Sequence, residues 1–365
     1  MSKFTKHACV LLTIAIIAGC MVLSSFALDR SETISFSEET LNNYVLNEVG
    51  KYIGMSEEII DENAEYSVSN AYTVVGSSNS ELRIFFTFKS GQCIGQFNVV
   101  FEDGKYNGTY FGGNLSIVTE ELENQNPFAL YYTNNRLYLM DSKSSYVLRG
   151  QSESDPIFLS VLEKKALSLH TVEISINKTT YSPMAATYKL LQVPIMPPEN
   201  TPLELEPSGL CWAVSVASII RYKKSPNYSN LMGADVYIEL ANYLAKNNIK
   251  VEGEINSKYV KEAFEAYDVP MSFKNSGISF YTVKNHINAN KPIYAGISVQ
   301  SNRVGGHAIV VCGYEENSDG QYFYTVMDCN SKIYGIVEVS DPNSTNFTYV
   351  APDSITFSYW NRTFW

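Results

Sequence analysis

Two hydrophobic rhythms run along this chain, and each predicts a different kind of element. Leu41, Tyr44, Val45, Leu46 and Val49 recur at helical spacing behind Ser37-Glu38-Glu39-Thr40. A serine followed by acids in the first turn marks a helix start. From residue 65 the rhythm shortens to that of strands. "EYSVSNAYTVVG" (65–76), "LRIFFTFK" (82–89), "CIGQFNVVFE" (93–102), "KYNGTYFGG" (105–113), "FALYYTN" (128–134) and "RLYLMD" (136–141) are β-branched and aromatic, as half-buried pleated surfaces require. Ser90-Gly91, Asp103-Gly104 and Asn134-Asn135 fit hairpin turns between them. Residues 28–190 therefore read as a β-rich α+β domain, a meander with a helix in front.

Residues 183–210 interrupt both rhythms. Six prolines in that stretch remove helix continuity and sheet donors, which predicts a linker or extended arm. After Pro207 the helical period returns in "CWAVSVASIIRY" (211–222), "GADVYIELANYLAKNN" (233–248), "NSKYVKEAFEAYD" (256–268) and "SFYTVKNHINANK" (279–291). Strands follow: "PIYAGISVQ" (292–300), "HAIVVCGYEE" (307–316), "QYFYTVMD" (321–328) and "IYGIVEVS" (333–340). Residues 191–365 thus form a second domain, a helical half followed by an antiparallel β half, and the fold class is α+β.

Composition narrows the function. The net charge of −11 excludes a nucleic-acid partner on electrostatic grounds. Lys3 and Lys6 precede an uncharged apolar run from Ala8 to Ala27, and Ser25-Phe26-Ala27 places small residues at a cut before Leu28. This is the secretory pattern, so residues 1–27 read as a signal peptide and the body as secreted. Ile17-Ala18-Gly19-Cys20 also fits a lipidation box, and the run is long enough to span a bilayer uncut. Each alternative still places the body outside the cytoplasm, with the membrane touched only by this segment.

Six cysteines stand at 9, 20, 93, 211, 312 and 329. Four scattered over the mature body are no disulfide framework, and without a C-x-x-C pair zinc is not expected. Cys93 reads as a core residue, and Cys312 and Cys329 as packed thiols in preference to a bridge. No metal or cofactor is expected, and the chain is expected to be a monomer.

Cys211 differs from the rest. It follows Ser208-Gly209-Leu210 and heads an apolar helix, where the positive end of the peptide dipoles favours a thiolate. A free cysteine is also among the most buried residue types, so a partner must decide. Of the four histidines, His7 lies in the leader, His286 reads as a solvated helix residue and His170 as a surface or strand residue. His307 follows Gly305-Gly306 and opens the strand "AIVVCGY". The chain then returns through Asn317-Ser318-Asp319-Gly320 as "YFYTVMDCN", bringing Asp328 or Asn330 toward His307. A thiol, an imidazole and an orienting carboxylate or amide are the parts of nucleophilic acyl transfer.

"GLCWAVSVASIIRY", "GGHAIVVCGY" and "YFYTVMD", in that order, resemble the papain-like cysteine peptidases, most of all the compact bacterial branch with its staphopain and bacteriocin-leader peptidase types. The resemblance covers residues 190–345. It implies a papain-like fold over the C-terminal domain, with Cys211 as nucleophile, His307 as general base and acid, and Asp328 or Asn330 as the orienting group. It implies a protein or peptide substrate, and by analogy an inhibitory propeptide in residues 28–190, hence a zymogen. Such families place a glutamine about six residues before the nucleophile, and losing one oxyanion donor costs about 10²–10³ in rate. Position 205 here is Leu, between Glu204 and Glu206, and no glutamine precedes Cys211 nearer than Gln192. Two further readings therefore stand beside the endopeptidase: a cell-wall peptide hydrolase or transpeptidase with the same chemistry, and a degenerate binding protein on this fold.

Overall fold

The computed structural model of the chain describes residues 36–56, 61, 63–75, 77, 81–102, 104–133, 136–141, 145–149, 167, 170–174, 187–196, 210–249, 259–299, 306–331, 333–352 and 355–365. The leader with Cys20, the Asn134-Asn135 turn and residues 197–209 with Leu205 lie outside them. Among the described residues no helix is long and apolar enough to cross a membrane.

Among the described residues the fold is mixed, with six helices and a large, mostly antiparallel sheet, compatible with the α+β expectation. Helix α1 (Glu38–Ser56) opens it. The Ser37 hydroxyl accepts the Thr40 N–H at 3.1 Å, the side-chain cap the sequence foresaw. Leu41, Val45, Val49, Tyr52 and Ile53 make its buried face, recurring every three to four residues as one helix stripe must.

Strands β1 (Tyr66–Ser69), β2 (Tyr72–Val75), β3 (Arg83–Lys89), β4 (Gln92–Glu102) and β5 (Lys105–Gly112) follow. Between β3 and β4, Ser90 and Gly91 both have positive φ, 49° and 81°, as a two-residue turn matching strand twist demands. The meander then breaks. Helix α2 (Ser116–Asn124) carries the chain across to β6 (Ala129–Thr133), which pairs parallel to β2. Parallel neighbours need such a crossover, and its short "SIVTEELEN" pattern did not announce a helix. Strands β7 (Arg136–Met140), β8 (Ser145–Arg149) and β9 (Thr171–Glu173) complete this region.

The proline-rich stretch is partly structured. Its residues Thr187–Leu190 form β10, antiparallel to the strand that begins at His307. Helices α3 (Cys211–Lys224), α4 (Gly233–Lys246) and α5 (Val260–Glu265) come next, then β11 (Phe273–Lys274) and α6 (Phe280–Asn288). Every residue of α3 from Trp212 to Ile220 is buried, which makes α3 the central helix. Its last turn holds Arg221, Lys223 and Lys224, complementing the dipole. The remaining strands are β12 (Ile293–Ser298), β13 (His307–Glu316), β14 (Tyr322–Asp328), β15 (Tyr334–Glu338), β16 (Tyr349–Val350), β17 (Thr356–Phe357) and β18 (Tyr359–Phe364).

Strands of both regions join in one sheet, running β11-β18-β12-β13-β14-β15-β5-β4-β3-β2-β6-β7-β8. The join is β15 against β5, with Ile336 opposite Tyr110. The cores interpenetrate there. Phe111 packs in the core around α3, while Phe323 and Ile336 pack in the core under α1.

Candidate active site

Three elements converge at the end of the central helix. Cys211 is the first residue of α3 and is partly exposed. His307 is the first residue of β13, and Asp328 the last of β14. The β13–β14 register sets Ile309 opposite Asp328, so the two strand ends lie side by side. Ser215, one turn into α3, donates to the Ala308 carbonyl at 3.1 Å and fixes the helix to the His307 strand. A Cβ on Gly306 would sit 2.5 Å from the Ile297 carbonyl oxygen. The glycine before His307 is thus required by close backbone approach.

His307 Nε2 and Asp328 Oδ2 are 2.9 Å apart, with Asp328 fully buried and His307 8% exposed. A carboxylate only accepts, so Nε2 carries the proton and Nδ1 is left for the thiol. Asp328 also accepts the Tyr349 hydroxyl on Oδ2 at 2.5 Å and the Asn330 backbone N–H on Oδ1 at 2.7 Å. Asn330 therefore enters through its backbone, and the group bonded to His307 is Asp328. The imidazole also lies stacked on Phe357, ring centres 5.4 Å apart.

Burial opposes charge on both groups, and their pairing overrides it. For His307 the desolvation penalty is outweighed by the Asp328 charge and hydrogen bond, then by interaction with Cys211, and its pKa stands well above the usual histidine range. For Asp328 burial is outweighed by the His307 charge and hydrogen bond, the Tyr349 hydroxyl and the Asn330 N–H, and its pKa lies below the usual carboxylate value. Opposite charge and donated hydrogen bonds have this sign.

The other candidates fall where packing puts them. Cys93, Cys312 and Cys329 form no disulfide and are buried, and burial pushes the Cys312 thiol far up, the mark of an inert cysteine. His286 is half-buried against Trp365, ring centres 5.0 Å apart, where a solvated residue was expected; the C-terminal residue covers its helix face. His170 is exposed. His307, Asp328 and Cys329 bring one potential ligand atom each within 4.8 Å, but the imidazole and carboxylate donors are already bonded to each other. The sequence did not single out Tyr349 or Phe357. Their signal, an aromatic alternation at Phe347, Tyr349 and Phe357, marks buried strand positions and carries nothing specific to a site.

Residues 190–361 match the model of the Peptidase_C39 like family. The match supports a papain-like cysteine peptidase family for that stretch. No curated protein matches the chain significantly.

Proposed function

We propose that this chain is an exported papain-like cysteine endopeptidase with Cys211 as nucleophile, His307 as acid and base, and Asp328 as the orienting carboxylate. The observation that carries the reading is the buried Asp328–His307 hydrogen bond, with His307 also interacting with a partly exposed thiol at a helix start. The raised pKa of His307 favours an imidazolium beside the Cys211 sulfur. In the proposed cycle the Cys211 sulfur bonds to the carbonyl carbon of a peptide. As the C–N bond breaks, His307 gives its Nδ1 proton to the leaving amine. His307 then takes a proton from water, whose oxygen replaces sulfur on the acyl carbon, and the thiol returns.

The first N–H groups of a helix have no partner within it. The start of α3, whose Leu210 cap makes no side-chain bond, can thus offer the Cys211 N–H to the oxyanion. This answers the missing glutamine without a side chain. Export rests on the leader pattern of residues 1–27 alone. The shared sheet weighs against an inhibitory, removable N-terminal region, because cutting it away would bare the whole edge of β15 now paired with β5.

The test is casein cleavage by residues 28–365 with reductant, beside Cys211→Ala and His307→Ala. Turnover by the unmutated chain alone supports the reading. Casein left intact, with release of peptides from peptidoglycan, would replace it by the wall hydrolase. No thiol-dependent turnover on either would leave a binding protein.

A further inference from the structure

The β16–β17 hairpin lies between the site and the N-terminal region, and its two faces do different work. Tyr349 is directly opposite Phe357 and Val350 opposite Thr356. Successive strand residues point to opposite faces, so Tyr349 and Phe357 share one face and Val350 and Thr356 the other. The first face meets the site: Tyr349 donates to Asp328 and Phe357 stacks on His307. On the second, Val350 is fully buried in the core of the N-terminal region, with Tyr72, Leu82 and Val100.

Buried polar groups of β4 and β5 hold the hairpin there. Thr109 Oγ1 accepts the Val350 N–H at 3.2 Å, Asn98 Nδ2 donates to the Ala351 carbonyl at 3.0 Å, and Gln96 Nε2 reaches the Pro352 carbonyl at 3.4 Å. Gln96, Asn98 and Thr109 are fully buried, and burial of such groups is costly without partners. Gln96 Nε2 also donates to Asn98 Oδ1 at 2.8 Å, and the hairpin bonds of all three groups fall on the three residues that follow Tyr349. Phe111, on the same face of β5 as Thr109, makes an edge contact with the Tyr349 ring, centres 6.3 Å apart.

We infer that the hairpin is a clamp on the His307–Asp328 pair, seated by the N-terminal region, with Tyr349 and Phe357 as positioning residues. Residues of that region are then a working part of the enzyme. The inference rests on the peptidase reading above, and it reverses the role that an inhibitory propeptide would have. The clamp fixes Oδ2 of Asp328 through Tyr349, while the Asn330 N–H beyond β14 holds Oδ1, so that the carboxylate is kept turned toward Nε2.

The experiment uses the chain from residue 28 with Tyr349→Phe, Thr109→Val and Thr109→Ser, read by peptide turnover and by the pH profile of Cys211 alkylation with iodoacetamide. Tyr349→Phe is expected to lower kcat roughly 10- to 100-fold, the scale of a small misplacement, with KM unchanged. It should also move the acid limb of the alkylation profile to higher pH, because Asp328 loses a donor and protonates sooner. Thr109→Val should repeat this signature more weakly, and Thr109→Ser, which keeps the hydroxyl, should restore the parent. If Thr109→Val does not fold, Asn98→Leu removes the Ala351 bond and repeats the seat test. Parental kcat and profile in Tyr349→Phe would overturn the clamp. Parental behaviour of Thr109→Val or its substitute would overturn the seat. An unmutated chain without turnover sinks the peptidase reading alone, and the alkylation profiles still decide the clamp.

Discussion

Two carboxylates on neighbouring strands, Asp328 buried and Glu338 half-buried, carry opposite consequences of similar surroundings. Asp328 ends β14 and accepts a tyrosine hydroxyl; Glu338 ends β15 and accepts two, from Tyr44 at 3.2 Å and Tyr52 at 3.3 Å. Burial raises the pKa of each. At Asp328 the imidazolium of His307 overturns that and leaves the carboxyl below its usual value. At Glu338 the next charge is an anion, Glu48, which adds to burial, and the two phenols and Lys51 offset only part of it. Tyrosine donors thus soften the desolvation of a carboxylate, while the sign of the nearest full charge decides which form it holds. One carboxyl is held as the anion; the other joins the first helix to β15 under opposition from a like charge.

Removing the charged partner should produce the largest effect. Asp328→Ala leaves a buried imidazole with no counter-ion, a loss of about 3–5 kcal/mol for pairs of this kind. Turnover should fall on the order of 10³–10⁴-fold. The pH dependence has a definite sign on each side. The raised His307 contributes stability that is whole below the ordinary histidine pKa of about 6.5 and disappears as pH climbs through the folded value. The lowered Asp328 contributes stability that is whole above about 3.9 and disappears as pH falls through its folded value. Urea titrations should therefore show the gap between parent and variant widest between those two ordinary values and narrowing on both sides. A gap independent of pH would mean that the pair is not ionic.

The same contrast shows what was legible beforehand. Cys211, His307 and Asp328 are visible because each sits where local pattern fixes it: a helix head after Ser-Gly-Leu, a strand start after glycines, the last residue of the returning strand. Hairpin geometry then brings the last two together at a separation readable from turn positions. Tyr349 is not visible, since its role depends on β5 lying beneath the hairpin, a contact across some 240 residues with no local trace. The parallel β2–β6 pair was hidden by the short α2 crossover. The β5–β15 junction was hidden because an edge strand and a paired strand carry the same alternation. Periodicity reports which face is buried and is silent about what buries it.

Glu338→Gln should be the medium effect, opposite in sign to the loss at Asp328. The amide keeps an acceptor for Tyr44 and Tyr52 but sheds the charge that burial and Glu48 oppose. A carboxyl with a raised folded pKa gives stability that is whole below its ordinary value, about 4.3, and lost as pH rises through the folded one. The variant should therefore be more stable than the parent near neutral pH, by on the order of 1 kcal/mol, and indistinguishable from it well below pH 4. A destabilised variant at neutral pH would show that the anion is the form this junction requires.

The smallest effect should come from Lys51, whose ammonium lies 2.6 Å from Glu48. Pairs three residues apart on a helix contribute roughly 0.2–0.5 kcal/mol, so Lys51→Gln alone should be barely measurable. Its interest lies in the coupling. Lys51 opposes the rise at Glu338, so its removal should make the Glu338 anion less tolerable and enlarge the gain from Glu338→Gln. A double-mutant cycle isolates that term. Added salt screens partly exposed charges and should shrink it. Additive free energies at low salt would mean that Lys51 serves Glu48 alone, and that the junction acid answers only to burial and its acidic neighbour. A positive coupling that fades with salt would place all three groups in one electrostatic unit across the seam between the two halves of the sheet.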